Sequence, residues 1–201
     1  MSRRQLPRVL AFLARFACAL YLLLTVWPYA AEPYAHALAS LGNALKPESS
    51  RASLHFSVPS FDRAAAESFA LLFSARKHAT PVNISIPIDV RNLAYLPTAC
   101  LIALAFATPL WRVRRGLLLL PAALTLLHVF LAASLATPIV LLFAEQAPLH
   151  LIDLTPLSHA TLDVLYRALV APPGMAYAIP GLLWVSMLWF SEAQTGSVPA
   201  A

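Results

Sequence analysis

Ionisable side chains inside apolar runs are the first suspects for chemistry, because charge is costly to hold at membrane depth. His128 sits near the middle of "LLLLPAALTLLHVFLAASLATPIVLLF", and Cys100 sits in "TACLIALA". Together they supply the two parts of a thiol nucleophile and its base, but no third group that would orient the histidine is visible. A neutral histidine in a span also has a simpler use, as a hydrogen-bonding partner for a neighbouring helix. A second group, His150, Asp153, His159 and Asp163, lies between two apolar runs. His159 and Asp163 are four apart, on one face of a helix, which is a chelating spacing, although metal sites announce themselves with tighter clusters. Solvated polar residues at a membrane surface account for the same group. The chain has no GxSxG, HExxH or phosphate-binding loop, and only five glycines. No catalytic, cofactor or metal residue is therefore assigned.

The elements that would carry these residues are set by composition. Of 201 residues, 60% are hydrophobic and 11% charged, against roughly half and a quarter in soluble domains. The missing charge implies a surface that faces lipid. The net charge of +5 is concentrated in Arg3, Arg4 and Arg8 and in Arg112, Arg114 and Arg115. Basic clusters beside apolar runs mark cytoplasmic flanks. No basic face on a soluble module suggests nucleic acid. Cys18 and Cys100 both fall in apolar runs, so they say nothing of redox compartment.

The expected fold is a mainly α-helical membrane protein with four transmembrane helices and a small strand-helix-strand extracytoplasmic insertion. Residues 1–31 hold a cytoplasmic N-terminus and a first span over 9–30. That span is longer than a signal core and contains Arg15, which suits an uncleaved anchor. Trp27, Tyr29 and Tyr34 are expected to form an aromatic belt at its far end. Residues 32–91 form the periplasmic insertion. In it, Leu38, Leu41 and Leu45 share a helical face, "SLHFSV" alternates as a half-buried strand, and "SFDRAAAESFALLFSARKH" repeats Phe61, Ala65, Phe69 and Phe73 at helical spacing. "VNISIPIDV" alternates again, with Pro87 pointing to an edge strand.

Residues 92–143 hold spans two (93–111) and three (116–143), joined by the basic turn at 112–115. Residues 144–173 form a periplasmic loop with an interfacial helix, capped by Thr155, opened by Pro156 and lined by Leu162, Leu165 and Leu169. Residues 174–201 hold a fourth span and a tail. The basic clusters orient the chain with its N-terminus in the cytoplasm of a bacterial cell and the spans in the inner membrane.

The run "RNLAYLPTACLIALAFATPLWRVRR", residues 91–115, also carries Ala99, Ala103 and Ala107 at four-residue spacing. Small residues so spaced let helices approach closely in lipid. With Arg91 and Tyr95 at the outer end, they make this helix the candidate contact for a membrane partner. The run resembles a segment of the small membrane proteins associated with exosortase H in Gram-negative bacteria. The similarity rests on Tyr95, Leu96 and Pro97, on Ala103, Leu104, Ala107, Thr108 and Pro109, and on Trp111, Arg112, Arg114 and Arg115. The glycine usual after the tyrosine is missing. The resemblance implies a non-catalytic accessory of an envelope protein-sorting system, with a sorting protease as its partner. That protease family uses a membrane-embedded cysteine with arginine partners. Cys100 lacks the surrounding pattern, so catalysis is not carried over. Two other readings stay open: a small membrane-embedded enzyme acting on a lipid or lipid-linked substrate through His128 or the 150–163 group, and a subunit of a transporter or envelope complex.

Overall fold

The computed structural model describes residues 6–45, 52–58, 70–77, 83–108, 114–145, 154–170 and 174–193. The chain is mostly helical. Helix α1 covers Leu6–Leu45, α2 Leu96–Ala107, α3 Arg114–Glu145, α4 Pro156–Leu165 and α5 Met175–Ala193. Strands β1 (Ala52–Ser57), β2 (Ala70–Lys77) and β3 (Asn83–Asp89) lie between α1 and α2. Two wider π-helical turns, Arg91–Tyr95 and Tyr166–Val170, precede α2 and follow α4. Among the described residues, two helices are long and apolar enough to cross a membrane: α1 and, over Leu118–Leu142, α3. Arg91–Ala107 and Met175–Ser191 are shorter apolar helices.

The chain divides into two compact units whose boundaries fall inside α1 and α3 rather than at their ends. The first holds residues 1–27, 96–129 and 176–201. Within it α2 is buried on nearly every side: Leu101, Ala103, Ala99 and Ala107 are all 3% exposed or less. A helix apolar all round is a core helix, and alanine on several faces lets neighbours close in. Only Phe106 of α2 is fully exposed. In α1 and α5 the reverse holds, with Leu10, Leu13, Tyr21, Leu22, Leu182, Val185, Trp189 and Phe190 outward. Exposed apolar surface on that scale is a lipid or protein contact. Trp184 fastens α5 inside this unit. Its indole Nε1 donates to Thr108 Oγ1 (3.3 Å), and its ring meets Phe12 at 5.7 Å between centroids.

The second unit holds residues 28–95 and 130–175. Here the expected strand-helix-strand order is replaced by a three-stranded antiparallel sheet in the order β1-β2-β3. The helix expected to end at Lys77 is β2 over Ala70–Lys77, while residues 59–69 lie outside the described residues. The register explains the error. It sets Phe56, Phe73 and Ile86 in one row, and Leu54, Ala75 and Ile84 in the next row of the same parity. Ser53, Arg76 and Asn83 form an alternate row, as do His55, Ser74 and Ser85. Phe73 satisfies a two-residue period through Leu71 and Ala75 as well as the four-residue period through Phe69. Pairing with two apolar strands selects the former. Pro87 stands on an edge strand, as expected.

The first helix does not stop at Ala30. It continues through Pro28 and Pro33 to Leu45, forty residues in all. At 1.5 Å per residue that is about 60 Å, roughly twice a hydrocarbon core. The face it buries in the second unit is not the expected leucine row. Ala31, Ala35 and Ala39 recur every four residues and are at most 6% exposed, whereas Leu41 is 38% exposed. Gly42 extends this small-residue face. A Cβ there would come within 2.8 Å of the Phe56 ring, so only glycine admits the sheet at this distance. The expected aromatic belt is likewise revised: Tyr29 is 78% exposed, but Trp27 is buried and Tyr34 is half-buried.

Candidate functional site

The best-built feature among the candidate residues is the junction of β3 with the helix that follows it. Strand β3 ends at Asp89 and the helix starts at Val90, with no residue between them. Asp89 makes this direct passage possible. Its Oδ1 accepts from the backbone N–H of Asn92 (3.0 Å), filling one of the donors that a helix start leaves open. Its Oδ2 accepts from the Asn92 side-chain amide. Val90 is fully buried and Ala94 nearly so. The π-helical turn Arg91–Tyr95 precedes Pro97. Proline lacks an N–H and crowds the carbonyl four residues back, and the wider turn accommodates both effects. Tyr95, 7% exposed, meets Tyr34 of α1 edge to face at 5.8 Å and 83°. The quadrupoles of the two rings favour that geometry.

Arg91 stands on this junction, half-buried. Its Nε is shielded from solvent and has no hydrogen-bond partner among the described residues. A buried donor without an acceptor costs about 1–3 kcal/mol. Of the other contact candidates, Tyr95, Ala99, Ala103 and Ala107 are covered by the chain itself. The alanine stripe therefore serves close packing within the molecule, and a partner cannot reach it. Of the membrane-flanking arginines, Arg114 and Arg115 open α3, and Arg112 lies outside the described residues.

The residues read as chemically suspect do not converge. His128 is half-buried, and its Nδ1–H donates to Leu124 O of its own helix (2.8 Å). The bond predicted to a neighbouring helix is thus met at this nitrogen by the preceding turn. Cys100 is a free, half-buried thiol with no hydrogen bond among the described residues, so no Cys–His pair forms. His150 and Asp153 lie outside the described residues. His159 Nε2 meets Glu145 Oε1 of α3 (2.9 Å), whereas Asp163 pairs with Arg167 one turn on (3.0 Å). The two members of the predicted i,i+4 pair thus serve different partners. No three His, Cys, Asp or Glu side chains gather among the described residues.

Three working residues escaped sequence reading: Asn43, Trp184 and Glu145. Each acts across a distance in sequence that periodicity does not report. The helix after Thr155 was legible, with Thr155 Oγ1 accepting from Ser158 N (3.2 Å) and Pro156 opening it. No family model, curated protein or solved structure matches the chain.

Proposed function

We propose that the chain is a four-span protein of the bacterial inner membrane that carries a small sheet-bearing unit at the periplasmic face and binds a membrane partner there, without chemistry of its own. The observation that carries this reading is the junction at Asp89–Val90. A strand that enters a helix with no linker sets Arg91 and Asn92 directly at the end of the sheet. In this reading the short apolar helices α2 and α5 cross beside α1 and α3. The orientation draws on α3 itself, which carries Arg114 and Arg115 at its first turn and Glu145 at its last residue. Those charges oppose the helix dipole, so helix stability does not account for them. A cytoplasmic basic flank does.

The partner contact in this reading is Arg91, half-buried at the junction, whose Nε has no acceptor among the described residues. A carboxylate of a membrane protein fits it best, since an arginine fork takes two carboxylate oxygens at once. The resemblance of residues 91–115 to exosortase-associated proteins makes a sorting protease the first partner to test. The test places a photo-crosslinking amino acid at Asn92, which is exposed, in intact cells. The expected result is a discrete adduct with one membrane protein that disappears in Arg91→Glu and survives in Arg91→Lys. A chain that yields no adduct at this position, or an adduct indifferent to Arg91→Glu, overturns the reading.

A further inference from the structure

Helix α4 is held at the end of a span and yet buries none of its residues. Leu157 is 78% and Val164 64% exposed, and Ala168 is exposed as well. At 100° per residue Leu157 and Val164 fall within about 20° of one another on α4, one apolar stripe, and Ala168 follows in the π-helical turn after it. His159 and Asp163 lie on the opposite side. Leu162, on the expected Leu162–Leu165–Leu169 face, lies off this stripe and is half-buried. The roll of the helix is fixed by His159, whose Nε2 meets Glu145 Oε1 at 2.9 Å. Glu145 is three residues past Leu142, the last residue of the apolar segment of α3. Three residues of helix rise about 4.5 Å. The middle of α4 is therefore tied one helical turn beyond the end of a membrane-length helix.

We infer that the Leu157–Val164–Ala168 stripe of α4 is a membrane-docking surface, seated in the headgroup–acyl boundary of the bilayer that α3 enters. The occupant is lipid because of where the stripe is held. Apolar side chains fixed at the level of a span's end have the acyl boundary beside them, and a flat amphipathic helix buries its apolar face several ångströms into it. The His159–Glu145 bond turns this stripe outward and keeps the polar side of α4 toward the rest of the unit. The inference rests on the proposal that α3 spans, and its test separates the two.

The test is spin-label depth measurement in liposomes of phosphatidylethanolamine and phosphatidylglycerol. It uses the full chain with Cys18→Ser and Cys100→Ala, and nitroxides introduced one at a time along α4 and at Leu126 of α3. Accessibility to oxygen marks lipid, and accessibility to a water-soluble nickel chelate marks solvent. The expected result is oxygen-dominated relaxation at 157, 164 and 168, chelate-dominated relaxation at 163 and 167, and the deepest reading at 126. Chelate-dominated relaxation at 157 and 164 with a deep label at 126 overturns the docking surface and leaves the span standing. Chelate-dominated relaxation at 126 as well overturns both. In Glu145→Ala the contrast between 164 and 163 is expected to shrink at least twofold while the label at 126 stays deep. An unchanged contrast overturns the role given to the His159–Glu145 bond.

Discussion

Asn43 of α1 pairs with the backbone of Phe56 in β1 as a neighbouring strand would. Its Nδ2 donates to Phe56 O and its Oδ1 accepts from Phe56 N, both at 2.9 Å. Strand β1 is the outer strand of the sheet on this side. An outer strand leaves a row of open peptide groups, and one side-chain amide closes a donor and an acceptor of that row at once. The same contact seats the Phe56 ring against Gly42. Helix and sheet are thus joined at one residue by both polar and apolar contact.

Asn43→Ala leaves both peptide groups of Phe56 open in a half-buried position, at a cost of about 1–3 kcal/mol for the less solvated group. The amide of Phe56 should then exchange with deuterium at least tenfold faster, while amides in the middle of α2 are unchanged. Equal protection in the variant would mean that Asn43 decorates the strand rather than holding it.

Gly42→Ala separates packing from propensity. Alanine in a helix interior is ordinarily favoured over glycine by about 1 kcal/mol. Here its Cβ would lie 2.8 Å from the Phe56 ring, and overpacking costs about 1–3 kcal/mol. The variant should be less stable to heat in detergent, and Phe56→Val in the same chain should restore it. A stabilised single variant would contradict the close approach of β1 to α1.

Trp184 ties α5 to α1 and to the turn at the end of α2, so truncation and conservative replacement should differ. Trp184→Ala removes the ring from Phe12 and is expected to cost about 3 kcal/mol, as for large-to-small core changes. Trp184→Phe loses only a 3.3 Å hydrogen bond to Thr108, worth about 1 kcal/mol. The measurement is the midpoint of thermal unfolding in detergent, with resistance of α5 to proteolysis as the local readout. Equal loss in both variants would move the weight from the ring to the hydrogen bond.

Asp89→Ala removes the cap of the helix that follows β3, at about 1 kcal/mol. Faster exchange at the Asn92 amide is expected, with Asp89→Asn close to the parent because asparagine caps as well. A two-glycine insertion between Asp89 and Val90 should preserve the sheet but abolish the Asn92 adduct. An adduct that survives the insertion would show that rigidity at this junction is dispensable.

Much of this architecture was legible because helices and strands report themselves by period. The apolar runs, the Thr155 cap and the edge position of Pro87 all rest on local rules that tertiary contacts did not override. Two things failed for a common reason. In β2, Phe73 belongs to two periods at once, and only the pairing with Phe56 and Ile86 decides between them. In α1, the leucines shared a legible helical face, whereas the face the fold buries carries Ala31, Ala35 and Ala39. Alanine is small enough to bring a sheet close, and closeness is a property of the neighbour rather than of the helix. The alanine stripe of α2 misled in the same way. Its spacing correctly announced close packing, but not that this chain supplies the neighbour. The arginine at the junction was visible as a type, whereas its missing acceptor is visible only in three dimensions.

The claim on which the rest depends is that the sheet-bearing unit and the basic turn at 112–115 lie on opposite sides of the inner membrane. Cysteine accessibility in intact cells measures this directly, in a chain with Cys18→Ser and Cys100→Ala. His55, exposed on β1, and Arg112 are changed to cysteine one at a time. A membrane-impermeant maleimide added outside, after the outer membrane is permeabilised, should label His55→Cys and leave Arg112→Cys untouched until the inner membrane is opened. Labelling of both before opening, or of Arg112→Cys alone, would contradict the account.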